Sequence, residues 1–377
     1  MLDNPGIYGY LFVIMLNSKN RFSRREFIKF SMSSMAAFMV VPFNLWEDNQ
    51  AAWSQAEKLG RVTAGKISLW SQPTTRSREL APLYQDATVE WLREVVGEAP
   101  GLSLSRRWVE TPEGFLYAPR VQPVFNKPAE PVQELPETAL GKGMWVEVSV
   151  PYVDLTWANP RQVSEGSWMH ENVRPRFYYS QVFWADDLRV NQDGITEYRL
   201  VERYANDIFW ARADAFRPLT NKEIEPIRHN RDDKTILIRL NQQTLSCLEG
   251  KQEVYFCQIS SGGKYDIDGN PTDKWATPPT TSPIWRKLIS HHMTGGETGG
   301  GWDIPGIAWT TLFIGNGIAI HSTFWHNDFG TPRSRGCINA RPEDAKWIFR
   351  WTDPVVTYEM GELTVQMPGG TNVQVVE

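Results

Sequence analysis

Apolar positions along most of this chain recur in short runs broken by Gly, Pro, Asn and Asp, and no 3.6-residue period is sustained beyond one segment. Such patterning predicts many short strands. Residues 59–124 form the first strand-rich unit, opened by Leu59-Gly60-Arg61-Val62 and closed by Gly114-Phe115-Leu116-Tyr117 and Val121-Gln122-Pro123-Val124. A Pro/Glu-rich stretch over residues 125–142 reads as an extended linker. A second unit, residues 143–218, alternates through Trp145-Val146-Glu147-Val148 and carries further strands at Phe177-Tyr178-Tyr179, Tyr198-Arg199-Leu200 and Phe209-Trp210-Ala211-Arg212. The third, residues 234–367, begins with Thr235-Ile236-Leu237-Ile238-Arg239-Leu240. Its one clear helix signal is residues 341–351, where Pro342 followed by Glu343 and Asp344 suits a first helical turn. The fold class expected is mainly β.

Composition agrees, with 12% aromatic residues, 28 Gly and 25 Pro in 377 residues. A net charge of -5 and the lack of a Lys/Arg-rich run argue against nucleic acid as a partner. The amino-terminal residues 1–55 read as an address. Arg24-Arg25 precedes a moderately apolar run that is short for a membrane span, and the arrangement resembles a twin-arginine export signal. No good Ala-x-Ala cleavage site follows, which leaves retention as a membrane anchor open.

Three cysteines do not make a disulfide framework. Cys247 and Cys257 fall in a hairpin turning at Glu249-Gly250. Pairing Leu248 with Lys251 sets Cys247 opposite Gln252 and Cys257 opposite Gln242, so the thiols are expected on opposite faces and unbridged. Export of an already folded chain fits free thiols.

Cys337 has different surroundings. A strand, Gly317-Ile318-Ala319-Ile320, delivers His321 to its end, and a loop rich in Gly, Pro, Asn and Asp returns the chain to Ser334-Arg335-Gly336-Cys337-Ile338-Asn339. A thiol with a pKa of roughly 8.5 needs a base to supply thiolate, and His321 is the candidate. Gly336 permits a tight turn, and backbone N–H groups near Cys337 are natural donors to an oxyanion. A zinc set made of His321, His291, His292 and His326 lacks a helix-borne His-x-x-x-His pair.

His321, a spacer, then Ser334-Arg335-Gly336-Cys337-Ile338-Asn339 resembles the signature of the L,D-transpeptidase (YkuD) family. The insert Trp325-His326-Asn327-Asp328-Phe329-Gly330, the segment Thr277-Pro278-Pro279-Thr280 and the run from His292 to Gly296 are similar to family segments too. The chain departs from the pattern in having Ser322 after the histidine, where many members have Gly, and Arg335 before Gly336, where many have His. The first upstream unit resembles a bacterial SH3-like barrel in its spacing, and the second reads as another such barrel or as a diverged repeat of the first.

The resemblance implies a β-sandwich catalytic domain and acyl exchange on peptidoglycan stem peptides. Cys337 is the implied nucleophile and His321 its proton acceptor and donor. Gly336, Ser334, Asn339 and Ser322 are the implied oxyanion and support residues, and Arg335, Trp325 and His292 the substrate-side ones. No metal or organic cofactor is called for. Residues 260–302, rich in Gly, Thr and Pro, read as a lid. Hydrolysis of the same bond, and a non-catalytic wall-binding role, are the alternatives. The expected location is the cell envelope, outside the cytoplasmic membrane.

Overall fold

A computed structural model describes residues 56–101, 103–158, 175–201, 208–265, 270–295, 302–315 and 317–377. The export-signal segment, residues 1–55, lies outside them. The described chain is mainly β.

In the first unit Leu59–Val62 pairs antiparallel with both Thr88–Glu90 and Val121–Val124. A five-stranded sheet in the order Glu79–Tyr84, Lys66–Trp70, Gly114–Tyr117, Arg107–Thr111, Arg93–Val96 completes it. Val62, Leu69, Trp91, Val109 and Leu116 form its core.

The middle unit is built on a six-stranded sheet: Thr156–Trp157, Ile208–Arg212, Thr196–Val201, Val182–Val190, Met144–Val148 and Phe216–Pro218. Side chains alternate faces along a strand, and here both faces are apolar. Met144, Val146 and Val148 point into the unit's own core with Phe177, Phe183 and Phe209. Trp145 points the other way, as do Val182 and Trp184, into the core of the carboxy-terminal domain. The backbone N–H of Trp145 donates to the Tyr358 hydroxyl (3.0 Å), and its indole N–H to the Tyr358 carbonyl (3.2 Å). The stretch expected as an extended linker touches the middle unit: Leu135 is buried in the middle core, and Val132 N–H donates to the Tyr198 hydroxyl (2.8 Å). An apolar residue within a polar run was enough to dock it.

In the carboxy-terminal domain we number the strands β1 (Lys234–Arg239), β2 (Thr244–Glu249), β3 (Gln252–Gln258), β4 (Thr280–Pro283), β5 (Arg286–Gly295), β6 (Trp302–Ile314), β7 (Ile318–Ser322), β8 (Ile338–Ala340), β9 (Glu362–Thr364) and β10 (Asn372–Val376). Helix α1 is Pro342–Trp351. The two five-stranded sheets have the orders β3-β2-β1-β10-β4 and β8-β7-β6-β5-β9. Pro342 opens α1, where its missing N–H costs nothing, and the helix lays Ala345, Ile348, Phe349 and Trp351 on β6 and β7. The buried Lys287 ammonium donates to the carbonyls of Phe349 (2.6 Å), Thr352 (2.7 Å) and Pro354 (2.7 Å), closing the helix's carboxy-terminal end.

Two expectations are corrected. The β2–β3 hairpin forms, but a register shift between Cys247 and Leu248 sets Cys247 opposite Tyr255 and Cys257 opposite Leu245. A one-residue slip moves a side chain to the other face, so both thiols enter the same core, and both are free. The segment read as a lid contains β4 and β5, which are hydrogen-bonded within sheets, with Ile284, Leu288 and Ile289 buried.

Candidate active site

Strands β7 and β8 run parallel, with Ile320 beside Ile338, His321 beside Asn339 and Ser322 beside Ala340. Ile320, Ile338 and Ala340 fill the core. By alternation His321 and Asn339 share the opposite face, and Cys337 lies in the bend just before β8.

His321 is 1% exposed. Its Nδ1 lies 2.8 Å from the Ser322 carbonyl oxygen. A carbonyl only accepts, so the ring proton of the neutral imidazole sits on Nδ1 and Nε2 presents a lone pair. Asn339 Nδ2 lies 3.2 Å from that nitrogen. The Trp325 ring is tilted against the imidazole, centroids 5.7 Å apart. Ser322 thus contributes its carbonyl, not its hydroxyl.

The Cys337 thiol is partly exposed and lies 3.8 Å from the Gly317 carbonyl oxygen. Among the described residues no hydrogen bond joins it to His321. Loss of water pushes the thiol up to about 11, offset in part by the Ala319 backbone N–H. Burial pulls His321 down to about 4 against the opposing effect of the Ser322 carbonyl. Thiol and imidazole are therefore both uncharged near neutral pH.

The turn before Cys337 is closed by side chains. Ser334 Oγ donates to the Cys337 carbonyl and accepts the Gly336 N–H (3.1 Å). Gly336 has φ +116°, a conformation that L side chains rarely adopt, and a Cβ there would meet Ile318 Cδ1 at 3.3 Å. Because its N–H is engaged by Ser334, Gly336 serves by backbone shape and not as an oxyanion donor. Thr277 Oγ1 donates to the Gly336 carbonyl (2.8 Å) and accepts the Gly262 N–H (2.8 Å), so the Thr-Pro segment holds this turn. Gly262 is itself obligatory, since a Cβ would lie 2.0 Å from the Trp275 carbonyl oxygen.

The remaining candidates are dispersed. Arg335 is exposed, its guanidinium 5.5 Å from the centre of the Trp275 ring. Arg333 pairs with Asp328, and Arg341 lies over Phe329 and 3.6 Å from Asp344. His292 is buried against Asp303 across β5 and β6. One residue not assigned a role from sequence belongs to the site: His326, whose Nε2 lies 3.0 Å from Asn339 Oδ1. Spacing alone carried no sign of that bond, since His326 sits in a loop.

A cavity of about 420 Å³ opens where the three units meet, lined among others by Lys58, Arg217, His326, Asn327, Arg341 and Lys346, and Cys337 does not line it.

The domain thus sets an oriented imidazole at the end of β7 and a thiol in the bend that leads into the neighbouring parallel strand β8. Residues 233–375 match the family model of the L,D-transpeptidase catalytic domain, YkuD. Similar solved structures include an L,D-transpeptidase from Stackebrandtia nassauensis, 20% identical over 42% of this chain and 60% of that one, TM-score 0.26. An Enterococcus faecium L,D-transpeptidase variant is 20% identical over 39% of this chain and 50% of that one, TM-score 0.29. An L,D-transpeptidase from Mycobacterium smegmatis is 14% identical over 59% of this chain and 99% of that one, TM-score 0.30. The chain spans 60% and 50% of the lengths of the first two. Among curated proteins nothing matches.

Proposed function

We propose that the protein is a peptidoglycan L,D-transpeptidase that crosslinks stem peptides through a thioester on Cys337. The observation that carries the reading is the His321 tautomer fixed by the Ser322 carbonyl, with Cys337 in the turn that enters the neighbouring parallel strand, within the segment matched to the L,D-transpeptidase domain. The thiol turns from the Gly317 carbonyl toward His321, displaces the Asn339 amide N–H from the Nε2 lone pair and gives up its proton there as sulfur attacks the carbonyl of an L,D peptide bond. His321 then protonates the departing amine of the D-residue, leaving the acyl group on sulfur. An amine of a second stem attacks the thioester, loses its proton to His321, and the thiol is restored.

Concerted transfer suits this pair, because neither group is charged beforehand. The upstream units, SH3-like in their sequence spacing, would hold the enzyme on the wall, and the amino-terminal segment would export it by the twin-arginine route. Incubation of the protein with a carbapenem, followed by intact mass, tests the nucleophile: a stoichiometric adduct absent from Cys337→Ala is expected. No adduct on the unmodified protein would sink the reading. Incubation with purified sacculi then separates products, since new crosslinks support transpeptidation and trimmed stems alone assign a hydrolase.

A further inference from the structure

Two features outside the thiol and its base lead to the same loop. The first is a hydrogen-bonded chain behind His321. The Asp328 backbone N–H donates to His326 Nδ1 (3.1 Å), so the proton of this second neutral imidazole is on Nε2, 3.0 Å from Asn339 Oδ1. With Oδ1 so engaged, Asn339 turns its amide Nδ2 to His321 Nε2 (3.2 Å), and His321 Nδ1–H turns to the Ser322 carbonyl (2.8 Å). Both ends of the chain are backbone groups of fixed polarity, a donor at Asp328 and an acceptor at Ser322. Those two ends determine every proton between them when both rings are neutral.

The second feature is the anchorage of residues 324–328, which carry His326. Asn327 N–H donates to the Pro119 carbonyl (3.0 Å), and Asn327 Nδ2 to the Ala118 carbonyl (3.2 Å). Arg107 donates to the Asn327 carbonyl (3.2 Å) and Arg61 to the Phe324 carbonyl (2.7 Å). All four partners belong to the first unit. Within the loop, Phe324, Asn327 and Asp328 are buried.

We propose that His326 is a positioning residue for the acyl-transfer base, acting through Asn339 to hold His321 in its Nδ1–H tautomer, and that the first unit completes the active site by clamping the His326 loop. The inference rests on the reading of Cys337 and His321 as nucleophile and base. Without His326, the Asn339 amide is free to rotate and offer Oδ1 to His321 Nε2, which favours a proton on the nitrogen that must accept one. The first unit then acts on the chemistry from a distance in sequence, through a loop it grips by backbone carbonyls.

Long-range ¹⁵N spectra of the unmodified protein, labelled at histidine, give the first test. His326 with its proton on Nε2 and His321 with its proton on Nδ1 are expected, and the reverse tautomer at either ring overturns the proposal whether or not the chain reacts with a carbapenem. The second test is the rate of carbapenem adduct formation at Cys337. In His326→Phe the rate should fall at least about tenfold, as misplacement of a reacting group does, with the adduct still stoichiometric and His321 losing its single tautomer. In His326→Gln, which can still donate to Asn339 Oδ1, much of the rate should return. Asn327→Ala, which leaves the Ala118 carbonyl unpaired and lowers the thermal transition, should still slow the reaction several-fold at a temperature where the protein is fully folded by circular dichroism. A folded His326→Phe that reacts at the unmodified rate with His321 unaltered would refute the proposal. Absence of adduct on the unmodified protein would instead dismiss the acyl-transfer reading itself, while the tautomer measurement still stands.

Discussion

Arg61 Nη2 donates to the Phe324 carbonyl at 2.7 Å, joining two residues 263 positions apart. The guanidinium is 2% exposed and satisfied on every side, by Asp86 (2.7 Å), by Gln122 (2.8 Å) and by the Tyr178 ring, 4.1 Å away. Arg176 also reaches Asp86, so the carboxylate keeps one partner when Arg61 is lost. Arg61→Met should therefore cost about 3 kcal/mol, toward the lower end for breaking a buried pair. Urea unfolding measures it, and a change below about 1 kcal/mol would show the network to be dispensable.

Tyr358→Phe removes the acceptor of the Trp145 N–H in a buried seam. A buried donor left unpaired costs about 1–3 kcal/mol. Because Trp145 and Trp184 share one core with β1, β6 and α1, the middle unit and the carboxy-terminal domain should unfold in one transition that shifts as a whole. Two separated transitions by tryptophan fluorescence and circular dichroism would contradict a common core.

The rate of Cys337 acylation should be flat with pH over a broad central range. Below about 4 His321 takes a proton and the rate falls; above about 11 the free thiolate raises it. A bell centred near pH 7, with limbs at ordinary imidazole and thiol values, would mean that an ion pair forms before attack.

Three histidines, His291, His321 and His326, are each lowered from 6.5 to about 4, by burial first of all. Between those values the unfolded chain binds protons that the folded one refuses, so stability rises with pH there and is lost as pH falls from 6.5 toward 4. Urea midpoints at pH 7 and 5 should differ in that direction, and His326→Gln should shrink the difference. Equal midpoints would refute the assignment.

How much of this was legible in the chain depended on the range of the interaction. Pro342 and its acids announced α1 because helix starts are local. His321 and Cys337 were legible because one loop carries both to neighbouring strands. The bulge at Cys247 was not, since a single skipped pairing leaves no mark in residue type, yet it reversed the face of a thiol. Nor could the alternation of Trp145 and Val146 reveal two buried faces rather than one, because a side chain as large as Trp is seldom fully buried and its type alone does not tell a second core from a half-covered face. His326 and the grip on its loop depend on Ala118 and Pro119, partners defined only once three units have met.

The doubly buried strand Met144–Val148 has a practical consequence for anyone excising a catalytic fragment. A polypeptide cut at the borders of the matched segment, residues 233–375, would carry a bare apolar surface where Trp145, Val182 and Trp184 had rested. Such a fragment should self-associate or precipitate rather than behave as a small soluble enzyme. Boundaries drawn by sequence match and boundaries drawn by solubility thus fall at different places in this polypeptide, the second nearer residue 143 than residue 233.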